Sequence, residues 1–176
     1  MRFSETGLAG AWLIEPEPAA DERGMFARTY CEREFAEHGI PFRVVQCNTS
    51  YNARRGTLRG MHYQEGAAAE ERLVRCTAGA IYDVVVDLRK ESPTRLKWFA
   101  AELSAENRSM IFVPKGFAHG FMTLCDGAEV FYQMSQFYEP AAARGVRWND
   151  PRLAIRWPKG EPILSDRDRS YPDLLP

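Results

Sequence analysis

The feature that most constrains the fold lies at residues 80–89, where Tyr82, Val84, Val86 and Leu88 recur at every second position and Asp83, Asp87 and Arg89 share the opposite face. A period of two puts successive side chains on opposite faces of an extended chain, a pattern that a helix cannot satisfy. Comparable short runs occupy residues 10–14, 24–30, 42–50, 57–64, 72–77, 96–102, 110–113, 117–124 and 129–138. About ten short strands separated by tight turns predict an all-β jelly-roll sandwich or barrel. A short helix is expected at 32–38, and 102–107 reads as a turn. Beyond Trp148, the prolines at 151, 158, 162 and 172 predict an irregular C-terminal tail packed over the barrel.

The 176 residues match the size of one domain, so 1–176 is expected to fold around one core, and 45% hydrophobic content is ample to build it. Lys and Arg number 23 against 24 Asp and Glu, which leaves no positive excess to neutralise a nucleic-acid polymer. No apolar run is long enough to span a membrane, and the first residues lack a signal-peptide layout, so a cytoplasmic location is expected. Cys31, Cys47, Cys76 and Cys125 form no C-x-x-C pair and read as buried thiols. His38, His62 and His119 show no i, i+2 or i, i+4 pairing, so a metal centre would have to be assembled from distant segments.

Several polar residues interrupt apolar strand faces. On a regular strand His62 shares a face with Leu58, Gly60 and Gln64, and Arg59 points away; a bulge at Gly60 would bring Arg59 and His62 towards a common cavity. Tyr132 shares a face with Val130 and Met134, as a buried aromatic with a hydroxyl to satisfy would. Arg72 shares a face with Val74 and Cys76. If that face is interior, the guanidinium needs an anion from a protein carboxylate or a ligand; on an edge strand it would simply be solvated. His119 stands before Gly120 at a turn into a strand. Asp168 falls in the tail, where a carboxylate folded back onto a histidine would fix its tautomer and raise its basicity.

Taken together, the segments Asp21-Glu22-Arg23-Gly24, Gln46-Cys47-Asn48-Thr49-Ser50, residues 56–64, Arg72-Leu73-Val74-Arg75, residues 83–89, Ser92-Pro93-Thr94, residues 114–121, Trp148-Asn149-Asp150-Pro151 and residues 164–168 resemble one family. It is the dTDP-4-dehydrorhamnose 3,5-epimerases, sugar-nucleotide epimerases of the cupin-type jelly roll. The resemblance implies His62 as catalytic base, Asp168 as the carboxylate paired with it, and Tyr132 as the acid on the other face of the sugar. It implies substrate contacts from Arg23, Gln46, Asn48, Arg59 and His119, with Arg28, Arg72 and Arg167 at further substrate-binding positions. It also implies a homodimer that uses no metal or redox cofactor.

The residue types suit the reaction. A 4-keto group acidifies the hydrogens on C3 and C5, and removal of one gives a resonance-stabilised enolate that is inverted by a proton from the opposite face. Two positions depart from the family pattern: Arg72 replaces the usual Lys, keeping the charge but not the capacity to shuttle a proton, and Arg28 replaces a ligand-contacting Glu. The expected function is epimerisation of dTDP-4-dehydro-6-deoxyglucose at C3 and C5. Alternatives are a C3-only or C5-only epimerase on another nucleotide sugar, a non-catalytic sugar-nucleotide-binding cupin, and a metal-dependent cupin oxygenase with His62 and His119 as ligands. The oxygenase calls for a His-x-His pair that His62-Tyr63-Gln64 lacks.

Overall fold

In the computed structural model, which describes residues 1–174, the chain begins with strands β1 (Arg2–Glu5), β2 (Trp12–Glu15), β3 (Ala19–Asp21) and β4 (Gly24–Phe26), then helix α1 (Glu32–Glu37). Strands β5 (Gln46–Asn52), β6 (Leu58–Gln64), β7 (Arg72–Ala78), β8 (Ala80–Asp87) and β9 (Trp98–Ser104) follow. Then come β10 (Met110–Val113), β11 (Phe117–Thr123), β12 (Ala128–Met134), β13 (Ala143–Gly145) and helix α2 (Asp166–Ser170). One sheet has the order β1-β2-β10-β7-β12-β5, a second the order β13-β6-β11-β8-β9, and β3-β4 is a separate hairpin.

The two large sheets face each other and enclose a core. Val74, Ile111 and Val130 from the first meet Ile81, Val85, Leu103 and Phe121 from the second. Alternation then assigns the outer faces. In β10, Ile111 and Val113 point inward while Met110 and Phe112 pack outward under Phe35 of α1 and Phe42. In β8, Val84 and Val86 point outward beneath Val146 and Leu153, with Trp157 of the tail packed against them. The inward face of β8 is therefore the one carrying Asp83 and Asp87, both fully buried. Burying a large apolar side chain contributes roughly 1.5–3 kcal/mol, so both faces of each sheet add to stability.

Several boundaries differ from expectation. The strand expected at 24–30 ends at Phe26, and the one expected from 42 starts at Gln46 because Phe42 is drawn into the cluster under α1. Strands β1, β3 and β13 were not anticipated. The tail is irregular except for α2, which the prolines do not forbid. Ser165 caps it by accepting the Asp168 N–H at 3.1 Å.

Candidate active site

Gly60 produces the bulge anticipated from its place inside a strand. Against β11, His62 pairs with His119 and Arg59 with Phe121, so three steps on β6 match two on β11. Gly60 has φ +135°, and a Cβ there would lie 2.6 Å from the Gly120 Cα. Only glycine permits this approach of the two strands. The shift turns Arg59 and His62 to the same face of the sheet.

The His62 side chain is 36% exposed, and its Nε2 lies 2.6 Å from Oδ1 of Asp168, itself 5% exposed. Burial would raise the Asp168 pKa, but the hydrogen bond and charge of His62, the Gly60 backbone and Ser165 together hold it below the ordinary carboxylate value. An ionised carboxylate only accepts hydrogen bonds. Nε2 therefore carries the proton, and Nδ1 is the ring nitrogen left to take another.

His62 lines a cavity of about 410 Å³ that Tyr132 also lines. His62 comes from the five-stranded sheet and Tyr132, on β12, from the six-stranded one. An imidazole and a phenol thus reach one cavity from facing layers. The volume suits a small-molecule ligand.

Arg72 lies on β7, between β10 and β12, so the edge-strand reading does not apply. Its face is interior and its anion is a protein carboxylate: Glu70 Oε1 accepts from Arg72 Nε at 2.9 Å and also from Nη2. The Glu70 side chain is 2% exposed and its Oε2 has no hydrogen-bond partner. With one edge of the guanidinium held, its remaining donors are available to an oxyanion at the cavity wall.

Gln46 and Asn48, two apart on β5, line the same cavity and are linked by a 3.3 Å hydrogen bond; Asn48 Nδ2 donates to Met134 Sδ at 3.1 Å. Arg167 lines it from α2. Four predicted substrate-binding residues do not line it. His119 is buried with Nε2 2.8 Å from Asp83 Oδ2, and Arg59 Nε donates to Asn52 Oδ1 at 2.7 Å. Arg23 pairs with Asp21 at 2.5 Å on the exposed β3-β4 hairpin, and Arg28 pairs with Glu34 at 2.7 Å.

Sequence reading missed Glu70, Tyr138 and Arg144 at the cavity. The demand of Arg72 for an anion was a signal for Glu70; Tyr138 and Arg144 gave none. His62 and His119 each present Nε2 to their own carboxylate, and among the described residues no three His, Cys, Asp or Glu side chains converge as a metal site. All four cysteines are free, but only Cys76 is buried, and burial pushes its thiol up to about 11; Cys31 and Cys125 are half-buried and Cys47 is exposed, so the expectation of four buried thiols holds for one.

The family model for dTDP-4-dehydrorhamnose 3,5-epimerase matches residues 5–175. A protein of that name from Sinorhizobium fredii is 43% identical over 99% of this chain and 90% of its own. A dTDP-4-dehydrorhamnose 3-epimerase from Streptomyces niveus is 42% identical over 96% of this chain and 82% of its own. The crystal structure of dTDP-4-dehydrorhamnose 3,5-epimerase from Bacillus anthracis, with TDP and PPi bound, matches at a TM-score of 0.95 and 45% identity, over 98% of this chain and 99% of that one.

Proposed function

The chain belongs to the dTDP-4-dehydrorhamnose 3,5-epimerase family, and from that membership we propose that it inverts C3 and C5 of dTDP-4-dehydro-6-deoxyglucose. The observation that carries the reading is the His62–Asp168 pair and Tyr132 on facing walls of one cavity. His62 Nδ1 takes the proton from C3 or C5, and the electron pair of that C–H bond moves onto the C4 oxygen as an enolate. The free donors of Arg72 stabilise the oxygen, and Glu70 holds them in place before charge develops. Tyr132 then returns a proton to the carbon from the other side, and solvent restores both groups.

Gln46, Asn48 and Arg167 are suited to hold the nucleotide end of the substrate. Arg23 and Arg28 do not reach the cavity of their own chain, so a substrate role for them requires a second copy. The β3-β4 hairpin supports one: Phe26 is 78% and Met25 44% exposed, an apolar tip beside Arg23. We accordingly propose a homodimer in which each hairpin serves the cavity of the partner. Four unbridged thiols fit a reducing cytoplasm. The 42% identity to a 3-epimerase favours C3-only inversion as the second reading.

Proton NMR in deuterated water with dTDP-4-dehydro-6-deoxyglucose tests this. Deuterium is expected to replace the protons at C3 and C5, with incorporation at both positions lost in His62→Ala. Incorporation at C3 alone would establish the second reading, and no exchange by folded protein would overturn both.

A further inference from the structure

Tyr171 ends α2 and has no part in the reaction as described, yet it packs against the base. Its ring centroid lies 5.8 Å from that of His62, with the planes at 66°, an edge-to-face contact. The ring also lies on the backbone of Gly145, so closely that a Cβ at that position would fall inside it. Gly145 is the residue of β13 that pairs with His62 on β6. A missing side chain at 145 and a large one at 171 therefore occupy a single space next to the imidazole. The Arg167 guanidinium stands 5.8 Å from the Tyr171 ring centroid. Burial raises the Tyr171 pKa in spite of that guanidinium, so the ring presented to His62 is neutral.

The need for such a contact follows from the helix that supplies Asp168. Five residues are too few to hold a helix by its own hydrogen bonds, and the prolines at 162 and 172 rule out its extension. The flanks of the helix are tied down by backbone hydrogen bonds, Leu58 N–H to the Ile163 carbonyl at 2.9 Å and Arg147 N–H to the Pro172 carbonyl at 3.2 Å, and between those ties its side chains have to set its place on β6. We propose that Tyr171 is a positioning residue: seated on Gly145, it locks the His62 ring and the helix carrying Asp168 in one arrangement, which keeps Nε2 on the carboxylate and Nδ1 towards the cavity. The inference rests on the reading of His62 as the base.

The test compares Tyr171→Ala, Tyr171→Phe and Gly145→Ala in the full chain, by steady-state kinetics and by nitrogen-15 NMR of the histidine side chains. The contacts are made by the ring, so Tyr171→Phe should stay within about twofold of wild type, whereas Tyr171→Ala should lose about tenfold or more in kcat with KM within about twofold. Gly145→Ala should displace the ring and reproduce that loss. The double variant should be no worse than either single one. In the spectra, His62 should be the Nε2–H tautomer in wild type and Tyr171→Phe, and a broadened mixture in Tyr171→Ala. Unchanged kcat and an unchanged tautomer in Tyr171→Ala would overturn the proposal, as would a raised KM at constant kcat, which would place the ring in binding. If Tyr171→Ala does not fold, Gly145→Ala decides by the same readings. His62→Ala that still exchanged C3 or C5 protons would overturn the base assignment instead, and the tautomer spectra would still judge Tyr171.

Discussion

Asp168 lies 106 positions beyond His62 in the chain, yet its Oδ1 is 2.6 Å from His62 Nε2. The carboxylate is buried and held ionised, so it determines which imidazole nitrogen keeps its proton. Asp168→Asn can present an amide N–H to that nitrogen and so favour the wrong tautomer. We expect kcat to fall by about 10²–10⁴ with KM little changed, measured by initial rates on protein whose circular dichroism is that of wild type.

Tyr132→Phe separates proton removal from inversion. His62, the proposed base, remains, so solvent deuterium should still enter the substrate, but on the face from which the proton left. Exchange with retained configuration is the expected NMR result. Normal inversion by this variant would remove Tyr132 from the acid role.

Arg72→Met removes the cation at the cavity wall and leaves Glu70 buried without its partner. Loss of one oxyanion donor typically costs about 10²–10³ in kcat, and a buried unpaired carboxylate destabilises as well. Both effects are expected, the first in steady-state rates and the second as a lower Tm.

Asp87 gives a pH signature remote from the cavity. Burial would raise its carboxyl, but Arg89, Ser92 and Thr94 hydrogen-bond it and bring it from 3.8 down to about 2. A carboxyl lowered by folding contributes stability that is complete above its unfolded value and is lost as pH falls through the folded one. On the order of 2 kcal/mol should therefore disappear between pH 4 and 2. Urea midpoints across that range should fall steeply for wild type and less steeply for Asp87→Asn, which begins from a lower stability.

Phe35→Ala empties the fully buried site under α1, on the outer side of the six-stranded sheet. A loss of about 3–5 kcal/mol is expected by denaturant unfolding. Because Phe35 is not at the cavity, kcat under conditions where the variant remains folded should match wild type.

Much of the architecture was legible because the strand signals are local: β8 follows from its alternation and β10 from a short, wholly apolar run. The Gly60 bulge was legible for the same reason, since glycine in a strand signals a close approach. Which face of β8 turns inward was not, because both faces are buried, one by the opposite sheet and the other by the tail. Helix α2 was hidden by the prolines around it, although Ser165 with Asp168 three positions later is a helix-start signal. The pairing of Asp168 with His62 rested on family likeness, because no spacing rule connects residues so far apart. Arg72 signalled that an anion was needed but not that Glu70 supplies it, since a two-residue offset at a strand start does not say where a long side chain will reach.

His62 and Tyr132 belong to different sheets, and what separates the sheets is the filling between them, Val85 and Val130 among it. Facing sheets pack about 10 Å apart. The reach from imidazole to phenol is therefore a thickness, gauged by the volume of the filling as a caliper is gauged by what it grips. Neither valine lines the cavity, yet both belong to the filling that sets the span between its two walls, so the gap a sugar ring must fit is gauged partly by residues that never meet it.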